Sequence, residues 1–167
     1  NLKKLTIPFV GASATENGKS ALLGYVFGDE EYNGGTLVKQ VYLSSLSAEV
    51  SYYVPSSLEE IVLTGDAISL KHGAFSNVVS LKKVSFGKGL IELTTVLARS
   101  LFYGTTVNEI VIDSTNEYFV SDNGLVYDKN KTGLIFCPFG FVGEVVLPNT
   151  LTSFKQLAID KVTDRKS

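Results

Sequence analysis

The stretch "LEEIVLTGDAISLKHGAFSNVVSLKKVSF", Leu58 to Phe86, states one hydrophobic pattern twice. LEEIVL and LKKVSF share apolar residues at their first, fourth and sixth positions, while Glu59-Glu60 gives way to Lys82-Lys83. The last three positions alternate as a β-strand does, two side chains inward and one outward. The leading apolar residue turns inward where the chain bends into the strand. A strand this short needs equivalent strands beside it to be stable. Neighbouring strands lie about 4.8 Å apart, so equal positions of successive repeats become neighbours. Inverted charges then set Glu beside Lys, a pairing worth about 0.2–1 kcal/mol on a sheet surface.

The same Φ-x-x-Φ-x-Φ pattern (Φ apolar) occurs as LKKLTI (Leu2–Ile7), VNEIVI (Val107–Ile112) and VGEVVL (Val142–Leu147), with a sixth match, VKQVYL (Val38–Leu43), in a less regular stretch. The leading residues 58, 81, 107 and 142 lie 23, 26 and 35 apart. The first two intervals suit leucine-rich repeats, and the third requires an insertion. The expectation is that 58–63, 81–86, 107–112 and 142–147 form neighbouring parallel strands. The third position of the five regular matches reads Lys4, Glu60, Lys83, Glu109, Glu144, alternating in sign over the first four. Between strands, Ile68, Leu70, Ala74, Phe75 and Val78 are the inward candidates, with Phe75 as a core plug and Phe102 as its counterpart one coil later.

The long interval holds "EYFVSDNGLVYDKNKTGLIFCP", which reads as a three-stranded meander with strands near 117–121, 124–128 and 133–137. Asn123-Gly124 suits a tight hairpin turn with positive φ. "GASATENGKS" and "GDEEYNGG" read as polar, Gly-rich loops flanking "ALLGYVFG". One domain is expected over 1–167: an enlarged N-terminal coil (1–57), regular repeats (58–115), a β-meander insertion (116–141) and a truncated last coil (142–167).

The 167 residues suffice for one domain with its own core, and 44% hydrophobic with 19% charged residues is a globular composition. A formal charge of −2 argues against nucleic acid as the partner. No apolar run approaches the roughly 20 residues of a helical membrane span. The lone Cys137 excludes an intrachain disulfide and a cysteine zinc site, and reads as a buried, inert thiol. With no Met and no signal peptide, the chain reads as a piece of something longer.

"VPSSLEEIVLTGDAISLKHGAFSNVVSLKKVSF" resembles the leucine-rich repeats of BspA-like surface proteins, whose coils read roughly L-x-x-I-x-I-P followed by I-x-x-x-A-F-x-x-C-x-x-L. Here Ala74-Phe75 and the spacing to Leu81 carry the match, with Val78 or its neighbour at the usual small or cysteine position. "NEYFVSDNGLVYDKNKTGLIFCPFG" resembles that family's recurrent insertion, N-x-x-F-x-x-x-x-G-x-L-Y, and the N-terminal stretch resembles an enlarged coil of bacterial members. "TTVLARSLFYGTT" departs, with Leu101-Phe102 in place of Ala-Phe, and "KQLAIDKVTDRKS" loses the pattern. The resemblance implies a β-rich α/β leucine-rich-repeat solenoid in a bacterial cell-surface or secreted protein. It also implies contact with host or bacterial surface proteins or glycans, and no shared catalytic residues.

Candidate chemistry is sparse. "GASATENGKS" imitates a phosphate-binding G-x-x-x-x-G-K-[ST] loop ending in Lys19, but position 13 is Ser and Gly11 comes two residues early. A nucleotide hydrolase acting through Lys19 is therefore only the remote alternative. His72 reads as a coil-corner residue, Asp29–Glu31 as a solvated acidic loop without calcium-ligand spacing, and Asn130–Thr132 as an idle glycosylation sequon. Tyr25, Tyr32, Tyr42, Tyr52 and Tyr53 cluster in the N-terminal third, where packing inside the coil outweighs binding. No cofactor or metal is expected, and no enzyme activity. The expected function is a non-enzymatic adhesion module whose concave face presents Lys4, Glu60, Val62, Lys83, Ser85, Glu109, Val111 and Glu144. The alternative is a spacer that holds another domain away from the cell.

Overall fold

In the computed structural model, which describes residues 1–45 and 47–160, ten strands and one α-helix follow one another along the chain. They are β1 (Lys4–Ile7), β2 (Gly35–Val41), β3 (Glu49–Pro55), β4 (Glu60–Leu63), β5 (Lys83–Phe86), α1 (Thr95–Leu101), β6 (Glu109–Ile112), β7 (Phe119–Asp122), β8 (Leu125–Asp128), β9 (Gly133–Phe136) and β10 (Ser153–Phe154). Two single-turn 3-10 helices, Gly18–Ala21 and Leu23–Val26, precede β2. Parallel and antiparallel sheets coexist, and none closes into a barrel.

The repeat pattern governs the first sheet. Its order is β1-β4-β5-β6, and every pairing is parallel. Glu60 faces Lys83, Ile61 faces Val84, and Leu63 faces Phe86; Lys83 in turn faces Glu109. The three apolar positions of each central repeat are buried: Leu58, Ile61 and Leu63; Leu81, Val84 and Phe86; Val107, Ile110 and Ile112. Each such side chain contributes about 1.5–3 kcal/mol by leaving water. Leu5 and Ile7 of β1 are only half-buried, because β1 is the edge of this sheet. Backbone bonds lock the entries into the strands: Glu59 and Glu60 N–H donate to the Lys3 carbonyl, and Lys82 and Lys83 N–H to that of Glu59.

The return segments supply the rest of the core. Ile68, Leu70, Ala74, Phe75 and Val78 are all buried, as the sequence predicts. Phe75 stacks on Phe102 at 5.5 Å between ring centroids, and Phe102 on Phe136 at 5.6 Å, each pair 13° from coplanar. The third ring comes from β9, so the aromatic column ties the meander to the repeats. The departure at "TTVLARSLFYGTT" is α1, whose Thr94 side chain caps the Leu97 N–H.

The match VGEVVL (142–147) does not form a strand, contrary to expectation: Val142 and Val146 are exposed and Glu144 lies outside the sheet. The slot beside β6 is already filled. The β7–β8 hairpin turns against it, with the Ile110 N–H donating to the Gly124 carbonyl and the Ile112 N–H to Ser121 Oγ. Asn123 and Gly124 both have positive φ, as the predicted tight turn requires. The meander runs β7-β8-β9 antiparallel, and β10 adds to β9 in parallel. Residues 161–167 of the expected last coil lie outside the described residues.

The sixth match, Val38–Leu43, also departs from stacking. Its residues belong largely to β2, which pairs antiparallel with β3 as a long hairpin. Buried Gln40 fixes this hairpin to the repeats: its Oε1 accepts from the Gly24 N–H at 2.7 Å, and its Nε2 donates to the Ala74 and Ser76 carbonyls at 3.2 Å. At Gly73, with φ +74°, an added Cβ would lie 1.6 Å from the Val41 carbonyl oxygen, so only glycine permits the hairpin to sit this close.

Candidate functional site

The outward residues of the parallel sheet form two charge ladders. In one, Lys4 pairs with Glu60 at 3.2 Å and Lys83 with Glu109 at 2.7 Å. One residue earlier, Lys82 pairs with Glu59 at 2.9 Å. The hydrogen bond it donates to Glu109 pushes the Lys83 ammonium above the usual lysine range; partial burial opposes this, and the charges of Glu109 and Glu60 add to it. The hydrogen bond from Lys82, then its charge, holds Glu59 below the usual carboxylate range. Such exposed pairs fix register more than they add stability.

Seven of the eight residues expected to line a binding face therefore share one surface: Lys4 on β1, Glu60 and Val62 on β4, Lys83 and Ser85 on β5, Glu109 and Val111 on β6. Glu144 does not join them. Val62, Ser85 and Val111 are half-buried, and none of the exposed large hydrophobic residues of the described chain stands on this face. At the β6 end, Glu109 and Val111 border a hollow of about 440 Å³ closed by Asn123, Phe141 and Val142.

A larger cleft, about 500 Å³, lies among the return segments and takes no residue from the parallel sheet. Its lining includes Val41 at the end of β2, Leu43 and Ser44 after it, Ser76 and Asn77, and Arg99, Tyr103 and Thr105. Arg99 Nη1 donates to Asp160 Oδ2 at 2.8 Å and to the Leu157 carbonyl at 3.4 Å, and its guanidinium lies 5.6 Å from the Phe139 ring centroid. His72 lines the same cleft. Sequence reading singled out His72 alone, as a corner residue. Arg99 and Tyr103 share the α1 return segment, but Asp160 reaches Arg99 from 61 residues away, so no local signal announces the cleft.

The other sequence candidates are placed as follows. Gly18-Lys19-Ser20 lies in a single 3-10 turn, not at the head of an α-helix, and the Lys19 carbonyl accepts the Tyr52 hydroxyl at 2.9 Å. The phosphate-cradling geometry that the Lys19 alternative needs is not formed. Tyr52 is buried and meets Tyr25 edge-on at 6.3 Å, while Tyr25 and Tyr32 are exposed. Cys137 is buried, and burial pushes its thiol up to about 11. Among the described residues no cluster of three potential metal ligands occurs, and no helix is long and apolar enough to cross a membrane.

No family model and no curated protein matches the chain. Among solved structures it is similar to a leucine-rich repeat protein from Eubacterium ventriosum, at 16% identity and a TM-score of 0.39, over 59% of this chain and 37% of that one. It is also similar to the pneumococcal vaccine antigen PcpA, at 16% identity and a TM-score of 0.30, over 92% of this chain and 51% of that one. The chain thus spans between about a third and a half of the length of these two proteins, and at such TM-scores the likeness decides neither fold nor function.

Proposed function

We propose that the chain is a short, β-rich leucine-rich-repeat solenoid of the BspA-like kind, and that it serves as a non-enzymatic binding module of a bacterial cell-surface or secreted protein. It engages a surface protein or glycan through the outward face of the parallel sheet. The observation that carries this reading is the register of β1, β4, β5 and β6. Four strands hold Lys4, Glu60, Val62, Lys83, Ser85, Glu109 and Val111 in one rigid array, with ion pairs that a partner can exchange for its own. Repeat proteins commonly bind through stacked-strand faces of this kind.

The test is adhesion of beads coated with the chain to host epithelial cells and to bacterial cells, against a Val62→Lys/Ser85→Lys/Val111→Lys variant of equal helical and sheet content by circular dichroism. Adhesion by the parent and its loss in the variant is the expected result. Equal adhesion by both, or none by either, overturns the sheet face as the binding surface.

A second reading, the spacer, is favoured by one observation. Among the described residues the sheet face exposes no large apolar side chain, and its charges pair within the chain. Binding faces usually offer an apolar centre. A spacer shows no adhesion in the bead test, yet keeps its end-to-end stiffness under load.

A further inference from the structure

The 500 Å³ cleft between the β2 end and the α1 return segment has a composition that narrows what can enter it. Among the described residues its lining carries one cation and one carboxylate, Arg99 and Asp160, and these pair at 2.8 Å. Both are largely buried, at 27% and 19% side-chain exposure, so the pair is built into the wall and does not wave in solvent. Among the described lining residues a free anion would find no uncompensated cation. A purely apolar ligand would bury the ion pair and the cleft's polar groups without replacing their contacts with water, which is costly. What remains is a neutral ligand that is apolar on one side and rich in hydroxyls on the other.

The remaining lining fits that description. Tyr103 and Leu43 are 53% and 54% exposed, leaving their apolar surfaces open at the cleft. The guanidinium is oriented by Asp160, by the Leu157 carbonyl and by the face of Phe139. Arg has five N–H donors in a fixed plane, and a carboxylate has about four acceptor sites, so one bond between them leaves both able to serve a pair of adjacent hydroxyls. His72 and Ser44 add polar atoms at the same cleft. Asn77 adopts φ +60°, its Nδ2 donates to the Lys39 carbonyl, and its Oδ1 occupies space that a side chain at Gly104 would fill, so this wall too is preorganised. The size lies within the usual range of about 300–1,000 Å³ for small-molecule sites.

We infer that this cleft is a binding site for a neutral pyranoside, with the C–H face of the sugar on Tyr103 and its vicinal hydroxyls on the Arg99–Asp160 pair. The site is separate from the sheet face and stands without the reading proposed for that face.

Saturation-transfer NMR on the full chain with lactose, cellobiose and N,N′-diacetylchitobiose at millimolar concentration tests this, with adenosine and N-acetylneuraminic acid as contrasting probes. At least one neutral disaccharide should receive saturation and shift the Tyr103 ring resonances. Tyr103→Ala, at an exposed position where folding is at little risk, should weaken that binding by about tenfold or more, whereas Tyr103→Phe should retain it. Tyr118→Ala, at an exposed tyrosine outside the cleft, should leave it unchanged. No transfer to any of the three disaccharides, undiminished binding by Tyr103→Ala, or tighter binding of adenosine or N-acetylneuraminic acid would each overturn the assignment.

Discussion

Phe75 and Phe102 lie with ring centroids 5.5 Å apart and planes 13° from parallel, and both rings are fully buried. They occupy corresponding places in successive return segments, although one precedes Ser76-Asn77 in a turn and the other caps α1. Backbone bonds keep them in step: the Phe75 N–H donates to the Leu101 carbonyl, and the Asn77 N–H to that of Tyr103. Phe75→Ala should cost about 3–5 kcal/mol, the range for a core phenylalanine whose neighbours relax only in part. Urea unfolding checks this, and a loss below about 1 kcal/mol would show that the column does not support the core.

Glu60 and Lys83 are register partners, yet the close ion pairs on their ladder are Lys4–Glu60 and Lys83–Glu109. Double-mutant cycles to Ala should therefore give a larger coupling for Lys83–Glu109 than for Glu60–Lys83. Both should stay within about 1 kcal/mol and shrink with added salt. The same pair makes stability sensitive to alkali. The folded state raises the pKa of Lys83, chiefly through its bond to Glu109, so the folded protein holds this proton more tightly than the unfolded chain. The contribution is complete below the ordinary lysine pKa of about 10.4 and is lost as pH rises through the higher folded value. Denaturant midpoints between pH 9 and 11.5 should fall less steeply for Lys83→Gln than for the parent, as measured at those approximate limits around the lysine value. A steeper fall in the variant would contradict the sign.

Gly73 is where the β2–β3 hairpin meets the repeats. Gly73→Ala would place a methyl group 1.6 Å from the Val41 oxygen and force an L-residue into left-handed backbone. The loss should exceed the roughly 1–2 kcal/mol that the left-handed conformation costs alone. Gly28→Ala is the control: it has φ +89° and no atom within 4 Å of the added Cβ, so it should show the conformational cost without the collision. Equal thermal unfolding of the two variants would refute the close approach.

Burial pushes the Cys137 thiol up to about 11, and only the thiolate attacks disulfide reagents. In native buffer near neutral pH, Cys137 should react with a disulfide probe far more slowly than in urea. Equal rates in the two conditions would mean that the thiol is exposed.

Much of the parallel sheet was legible, because its signal is local and repeated. LEEIVL, LKKVSF and VNEIVI each put apolar residues where a strand turns them inward, and the alternating Lys4, Glu60, Lys83 and Glu109 match the observed register one for one. The Asn123-Gly124 turn and the Phe75–Phe102 pair were legible for the same reason: each depends on a residue type whose geometry or bulk has few uses. VGEVVL carries the same pattern and fails, since a strand needs a partner edge as well as a pattern. The β7–β8 hairpin holds the edge of β6 through Gly124 and Ser121, leaving 142–147 without a ladder to join. Glu144 would also have followed Glu109 with like charge, ending the alternation.

The period, the inward residues of three adjacent strands, the sign order of their charges and the meander that interrupts them are all written in the chain. Those follow from side-chain alternation and turn stereochemistry, which act over a few residues. The tertiary structure alone decided which matches gain a partner, that Val38–Leu43 pairs antiparallel through β3, and that Gln40 ties that hairpin to Ala74 and Ser76. It alone decided, too, that Arg99, Tyr103 and Asp160 meet in one cleft. The Gln40 and Arg99–Asp160 contacts join segments 34 to 61 residues apart, and their energy exists only once the intervening chain has been ordered, so no local pattern can encode them.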